Sequence, residues 1–282
     1  MLITTVAPWI EQEFATLKFN DERLNIRAMT ILSDQYSSPQ ATLYGSSADE
    51  ANAKGVYRFQ SNPKVSEDEL LKSHREASVK RAGAYSVVLG VHDTTQLDFS
   101  TQSQKHGTGP LQTLKQRGFL LHPVVLFTPE KIPLGTVFVK LLSRDDETFG
   151  KSKQRAQRPI EEKESYRWIE SVQQLATLQK ELPHTELVSV SDAESDIYEL
   201  FLEAQTTAQG PTVLVRAAHN RKLDQEVQKL WPYMEQTAPG FEIELEIPRK
   251  DHHPGRYAQA QVSYAQITLP KPANKTGVPV KL

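Results

Sequence analysis

One stretch limits the possible folds more than any other: Val87-Val88-Leu89-Gly90-Val91-His92-Asp93-Thr94-Thr95. An apolar, β-branched run without polar alternation fits a strand buried on both faces, as in the middle of a helix-covered sheet. The run ends on a carboxylate and two hydroxyls. An aspartate delivered by the carboxyl end of such a strand stands at the sheet rim, where open α/β sheets form ligand crevices. A loop aspartate capping the next turn has the same local sequence, so Asp93 points to chemistry only if a second acid joins it.

That second acid follows Glu186-Leu187-Val188-Ser189-Val190-Ser191, another strand pattern, which stops on Asp192. The two aspartates are 99 residues apart in the chain. If their strands are parallel neighbours, ordinary strand spacing brings the carboxyl ends to about 5 Å. Two carboxylates that close repel unless a cation sits between them, and hard oxygen ligands select Mg²⁺ or Mn²⁺. Such ions activate an attacking water or hydroxyl and stabilise the leaving oxygen of a phosphodiester.

The remaining composition narrows the class. With 282 residues, 38% of them hydrophobic, the chain can bury a sizeable core in one large or two modest domains. It has no cysteine, so disulfides, thiolate nucleophiles and thiolate zinc sites are excluded. No apolar run approaches membrane-spanning length, and residues 1–9 lack the basic flank and apolar core of a secretory signal. A cytoplasmic, nucleoid-associated location is expected. Formal net charge is only -2, but residues 101–160 carry ten Lys or Arg against four acids. This asymmetry points to a polyanion.

Taken in order, the first 83 residues read as a small helical domain. Pro8 suits a first helical position, with Trp9, Ile10, Phe14 and Leu17 at helical spacing, and Asp21 opens a second segment. Ser47-Ala48-Asp49-Glu50 and Ser66-Glu67-Asp68-Glu69 are capping boxes that start two more helices. Between them lies Gly55-Val56-Tyr57-Arg58-Phe59-Gln60-Ser61-Asn62-Pro63. Tyr57 and Phe59 suit either core packing or a DNA-facing role, and Arg58 suits a bidentate phosphate contact. Gly83 marks the change to strand patterns.

Residues 119–127 and 134–142 predict an antiparallel hairpin, with Gly107-Thr108-Gly109-Pro110 a loop before it. Residues 149–159 form a basic loop with Lys151, Lys153, Arg155 and Arg158, followed by a helix with Trp168, Val172, Leu175 and Leu178 on one face. Beyond Asp192, residues 193–201 predict a helix with acids in its first turn, and residues 211–216 a further strand. Residues 241–247 and 257–269 alternate apolar and polar, the pattern of an inserted antiparallel sheet with one wet face. The expected fold class is thus α/β (α+β). Its domains are a helical DNA-binding part at 1–83, a mixed sheet flanked by helices at 84–218, and part of an inserted antiparallel β subdomain at 219–282.

The segments Gly55-Val56-Tyr57-Arg58-Phe59, His92-Asp93-Thr94-Thr95, Arg117-Gly118-Phe119-Leu120-Leu121-His122, Pro133-Leu134-Gly135, Glu162-Lys163-Glu164-Ser165, Ser191-Asp192-Ala193-Glu194-Ser195-Asp196-Ile197-Tyr198 and Val215-Arg216 occur in this order. In them the chain resembles the bacterial cut-and-paste DDE transposases of the insertion-sequence-four group, nearly end to end. The resemblance implies an RNase H-like core. It implies that Asp93 and Asp192 are catalytic metal ligands for Mg²⁺ or Mn²⁺, the first two of an acidic triad. It also implies that Arg216 lies beside the DNA end; Tyr57, Arg58, Arg117, Lys151, Lys153, Arg155 and Arg158 are expected, from residue type and local charge, to contact DNA. Expected partners are double-stranded DNA, as transposon ends and as target, and full-length relatives are expected to dimerise on it.

The resemblance has one departure. The family's third acid is a glutamate after the inserted subdomain, in a Tyr-x-x-Arg-x-x-x-Glu setting, and no such spacing occurs in this sequence. The expectation is a transposase truncated before that acid and its dimerisation region, with impaired catalysis. Two alternatives stand beside it: an inactive DNA-binding regulator, and an independent two-metal nuclease using Glu194. Glu194 and Asp196 sit where acids usually cap helices, and His92 and His122 read as packed, hydrogen-bonded histidines.

Overall fold

The computed structural model describes residues 7–102, 106–147, 149–150, 158–224, 226–250 and 253–282. The chain divides into two compact units. One comprises residues 1–190 and 209–212, the other residues 191–208 and 213–282. Among the described residues no helix is long and apolar enough to cross a membrane.

The first unit begins with four helices: α1 Pro8–Glu13, α2 Glu22–Ser37, α3 Glu50–Gln60 and α4 Glu67–Ala82. Pro8 occupies the first turn of α1, while the side chains of Asp21, Asp49 and Ser66 accept backbone N–H groups at the starts of α2, α3 and α4. The cap of α3 is Asp49, two residues later than the capping box expected from Ser47. Residues 55–60, expected between helices, form instead the second half of α3, and only Ser61-Asn62-Pro63 lies beyond it. Helical spacing then separates the aromatic pair. Phe59 joins a core of Leu17, Phe19 and Ala28, whereas Tyr57 faces out.

The strands that follow are β1 Val87–His92, β2 Thr95–Asp98, β3 Gly109–Pro110, β4 Arg117–Phe127 and β5 Pro133–Leu142. Next come a 3₁₀ turn at Ile160–Glu162, α5 at Tyr166–Glu181 and β6 at Glu186–Ser191, of which Ser191 belongs to the second unit. Sheet order is β2-β4-β1-β6, with β3 and β5 also paired to β4. β4 and β5 form the expected antiparallel hairpin. β2 and β3 were not foreseen, and Gly109-Pro110 is strand rather than loop. The N–H of Glu186 donates to the carbonyl of Ser86 at 2.8 Å, so β1 and β6 start side by side and run the same way.

Helices α4 and α5 supply Ala82, Leu175 and Leu178, and Leu182 just after α5 joins them, in a core shared with Val88, Val124, Leu126, Leu134 and Leu187. β1 differs from the strand buried on both faces that its apolar run predicts. Val88, Gly90 and His92 are buried and Val87, Leu89 and Val91 only partly so. The buried face lies against α5, so closely that a Cβ on Gly90 would stand 2.7 Å from a Leu175 methyl.

The second unit holds a 3₁₀ turn at Ala193–Ser195, α6 Tyr198–Thr206, α7 Leu230–Glu235, and strands β8 Pro239–Ile247, β9 Arg256–Ser263, β10 Thr268–Leu269 and β11 Val280–Lys281. The strand β7, Thr212–Val215, enters it after Thr212. β8 and β9 are an antiparallel ribbon with Glu244 opposite Gln259. The expected strand over 257–269 is two, broken between Ser263 and Thr268, and its second part pairs with β11. The helix expected over 193–201 starts only at Tyr198, because Asp192 caps a short turn and Asp196 is drawn into a buried ion pair with Arg221.

Candidate functional site

Asp93 directly follows β1 and is exposed. Its Oδ1 accepts the N–H of Thr94 at 2.7 Å, and among the described residues its Oδ2 accepts no hydrogen bond. Beneath it lies a packed polar layer. Thr94 Oγ1 is 2.8 Å from Nδ1 of His122 and accepts from Nε of Arg167 at 2.7 Å. The other ring nitrogen of His122 meets Ser171 Oγ at 3.1 Å, and His92 Nε2 meets Ser189 Oγ at 2.9 Å. The buried Trp168 ring stands 4.6 Å from that of His122 and 5.3 Å from that of His92. Both histidines are thus packed and hydrogen-bonded. Burial, with the charges of His92, Arg167 and Lys140 adding to it, pushes His122 down to about 3, against one opposing hydrogen bond to the Asp93 backbone.

The β1–β4 ladder has a gap at this point. His92 pairs with Val124 and Thr95 with Leu121, which places Asp93 opposite Pro123 and Thr94 opposite His122. A proline has no N–H to donate to the Asp93 carbonyl, so the ladder stops at His92 and resumes as β2. A proline inside a strand-like run signals such a break. Its register against Asp93 is not visible in the sequence.

Asp192 directly follows β6 and is partly buried. Its Oδ1 accepts the N–H of Glu194 at 2.8 Å, and its backbone carbonyl accepts from Ser195 Oγ at 2.7 Å. Arg216, 72% exposed, places Nη2 3.7 Å from Asp192 Oδ2. Asp196, by contrast, is buried, and both its oxygens are filled by N–H donors from Ala218, His219 and Arg221. It has no capacity left for a metal. Among the described residues no group of three or more His, Asp or Glu side chains forms a ready-made metal cluster. The donors at Asp93 and Asp192 are carboxylate oxygens, the type that Mg²⁺ takes one or two of while keeping water or phosphate for its other positions.

The expected DNA contacts divide by environment. Tyr57 is 56% exposed and stacks on Tyr44 with centroids 3.7 Å apart, and Arg58 is exposed beside it. The guanidinium of Arg117 is turned inward to Asp146 and the Thr108 carbonyl. Arg158 lines a cleft of about 410 Å³ with Arg144, Phe149 and Lys163. Lys151, Lys153 and Arg155 lie outside the described residues. Arg167 and Pro123 were not singled out from the sequence, and Thr94 only as one of the two hydroxyls after Asp93; Arg167 is of a type that binds phosphate, but its guanidinium donates to Thr94 Oγ1 and the Glu164 carbonyl.

Residues 6–65, which include α1, α2 and α3, match the transposase DNA-binding family. The exposed Tyr57 and Arg58 therefore lie within the matched residues, and the match supports DNA as a partner.

Proposed function

We propose that the chain is a DDE transposase of the bacterial cut-and-paste, insertion-sequence-four type, with an RNase H-like core that cleaves and transfers DNA strands. The observation that carries this reading is the placement of two acids behind a transposase DNA-binding segment. β1 and β6 are co-directional neighbours, and each runs directly into an aspartate. Asp93 and Asp192 would hold Mg²⁺ or Mn²⁺, and their oxygen-only donor set suits such hard cations. When bound, the ion supplies activation of the attacking oxygen and charge stabilisation at the leaving one.

The chain's own groups have separate tasks. Tyr57 and Arg58 hold the transposon end through its backbone, as exposed groups of the matched segment. Arg216, exposed beside Asp192, suits the phosphate next to the reacting bond. Lys151, Lys153, Arg155 and Arg158 would follow the DNA backbone. Arg117 contributes by holding the Thr108 and Asp146 loops together.

The test begins with selection of a bound duplex from a randomised pool, followed by incubation with Mn²⁺ or Mg²⁺. The expected result is salt-sensitive binding and metal-dependent nicking that Asp93→Asn and Asp192→Asn each abolish. Binding without nicking would instead indicate a DNA-binding regulator, and nicking untouched by either substitution would overturn the two-aspartate reading.

A further inference from the structure

We infer that Pro123 is a positioning residue for Asp93: by withholding one ladder hydrogen bond it holds this carboxylate out of the sheet and open to a divalent cation. The inference rests on the metal-ion reading of Asp93 given above. Its basis is the register. His92↔Val124 and Thr95↔Leu121 belong to one continuous antiparallel alignment, so no residue is inserted or lost between β1 and β2. The gap is therefore not a bulge. It is a missing bond, and it falls where the strand needs an N–H from residue 123. On its other edge Pro123 still pairs with Val139 of β5, so β4 is an interior strand at this point. Proline inside a sheet is found essentially only at edges and bulges, because elsewhere it forfeits a hydrogen bond.

Buried groups occupy the gap. Thr94 is gripped from two sides, by Arg167 Nε at 2.7 Å and by His122 Nδ1 at 2.8 Å. Arg167 is anchored in turn by the Glu164 carbonyl at 2.7 Å and lies over the Trp168 ring. With Thr94 locked, its N–H holds Asp93 Oδ1 at 2.7 Å and leaves Oδ2 to the outside. Groups that orient a metal ligand in this way typically change metal affinity about 10- to 100-fold when altered.

The experiment titrates the full chain with Mn²⁺ and follows the free ion by electron paramagnetic resonance, with a thermal melt for every variant. Pro123→Val restores the missing N–H in a residue suited to strands. We expect its melting midpoint to be unchanged or higher and its Mn²⁺ dissociation constant to rise about tenfold or more. A role in stability alone would not separate these two readings. Thr94→Val should weaken Mn²⁺ binding in the same direction, and Thr94→Ser, which keeps the hydroxyl, should recover it. If Pro123→Val fails to fold, the Thr94 pair decides. Wild-type affinity in a folded Pro123→Val, or in Thr94→Val where Pro123→Val does not fold, with Mn²⁺ lost in Asp93→Asn, overturns the positioning role and leaves the metal site standing. Undiminished Mn²⁺ binding in Asp93→Asn, or none in the wild type, overturns both.

Discussion

Arg221 closes on Asp196 from one side, with Nε and Nη2 donating to Oδ1 at 3.0 and 2.7 Å, while the N–H groups of Ala218 and His219 fill Oδ2 at 2.8 and 3.0 Å. The Asp196 side chain is 3% exposed, so its charge is compensated almost wholly by these four bonds. An amide has one acceptor oxygen and no charge, and it would face donors on both sides. Asp196→Asn should destabilise the second unit by about 3 kcal/mol, as breaking a buried, hydrogen-bonded ion pair does. Urea unfolding measures this. Mn²⁺ affinity should stay at the wild-type value, since the pair serves structure and not metal binding.

Glu13, within the matched residues 6–65, is joined to α4 by Arg81, whose Nη1 lies 2.7 Å and Nη2 3.2 Å from its two oxygens. The same carboxylate pairs with His74 Nδ1, while His74 Nε2 accepts the N–H of Thr136 in β5 at 2.9 Å. Arg81 Nε also donates to the Leu134 carbonyl at 2.6 Å, so one acid ties the first helix to the sheet. The Arg81 side chain is 40% exposed, and water screens part of the pair. Glu13→Gln should therefore cost only about 1–2 kcal/mol, below the range for a fully buried pair. Limited proteolysis should then cut between residues 14 and 21 faster than in the wild type, as α1 loosens.

His122 makes stability depend on pH with a definite sign. An unfolded histidine takes up its proton near 6.5, whereas the folded His122 stays neutral down to about 3. Between these values the unfolded chain binds more protons, so its contribution is complete above about 6.5 and is lost as pH falls toward 3. The full effect is on the order of several kcal/mol. His122→Asn, which keeps hydrogen-bonding capacity without a titrating ring, should flatten the urea midpoint against pH between about 4 and 6.5. Parallel curves for wild type and variant would show that His122 does not carry this dependence.

Much of this architecture was legible because it is local. Pro8, Asp21 and Ser66 mark helix starts by groups within three residues, and the short connection between β4 and β5 can only be an antiparallel turn. The apolar runs before Asp93 and Asp192 likewise read as strands from composition alone. What was missed depends on distant partners. Residues 55–60 read as lying between two helices, whereas Phe59 packs on Phe19, with ring centroids 5.8 Å apart, from within α3. Asp196 resembled a helix cap, and only Arg221, 25 positions on, makes it a buried anion. Pro123 carried a readable warning, but the residue it deprives of a bond lies 30 positions earlier.

The matched segment makes a prediction about salt. Arg58 is exposed in the last turn of α3, next to Phe59 in the core, so α3 presents it from a fixed base. Each cation that neutralises a duplex phosphate releases about 0.9 of a counterion, which sets the slope of log affinity against log salt. If Arg58 contacts a phosphate, Arg58→Ala should weaken binding to every duplex alike and reduce that slope by about 1. Arg75 serves as the control. It lies outside the matched residues and is held by Glu181 at 2.5 and 3.3 Å, so Arg75→Ala should leave the slope unchanged. Fluorescence anisotropy over a range of NaCl concentrations gives both slopes. An Arg58→Ala slope equal to the wild type would remove Arg58 from the DNA-facing surface, and a slope lowered equally in Arg75→Ala would show that net charge rather than a defined contact governs the binding.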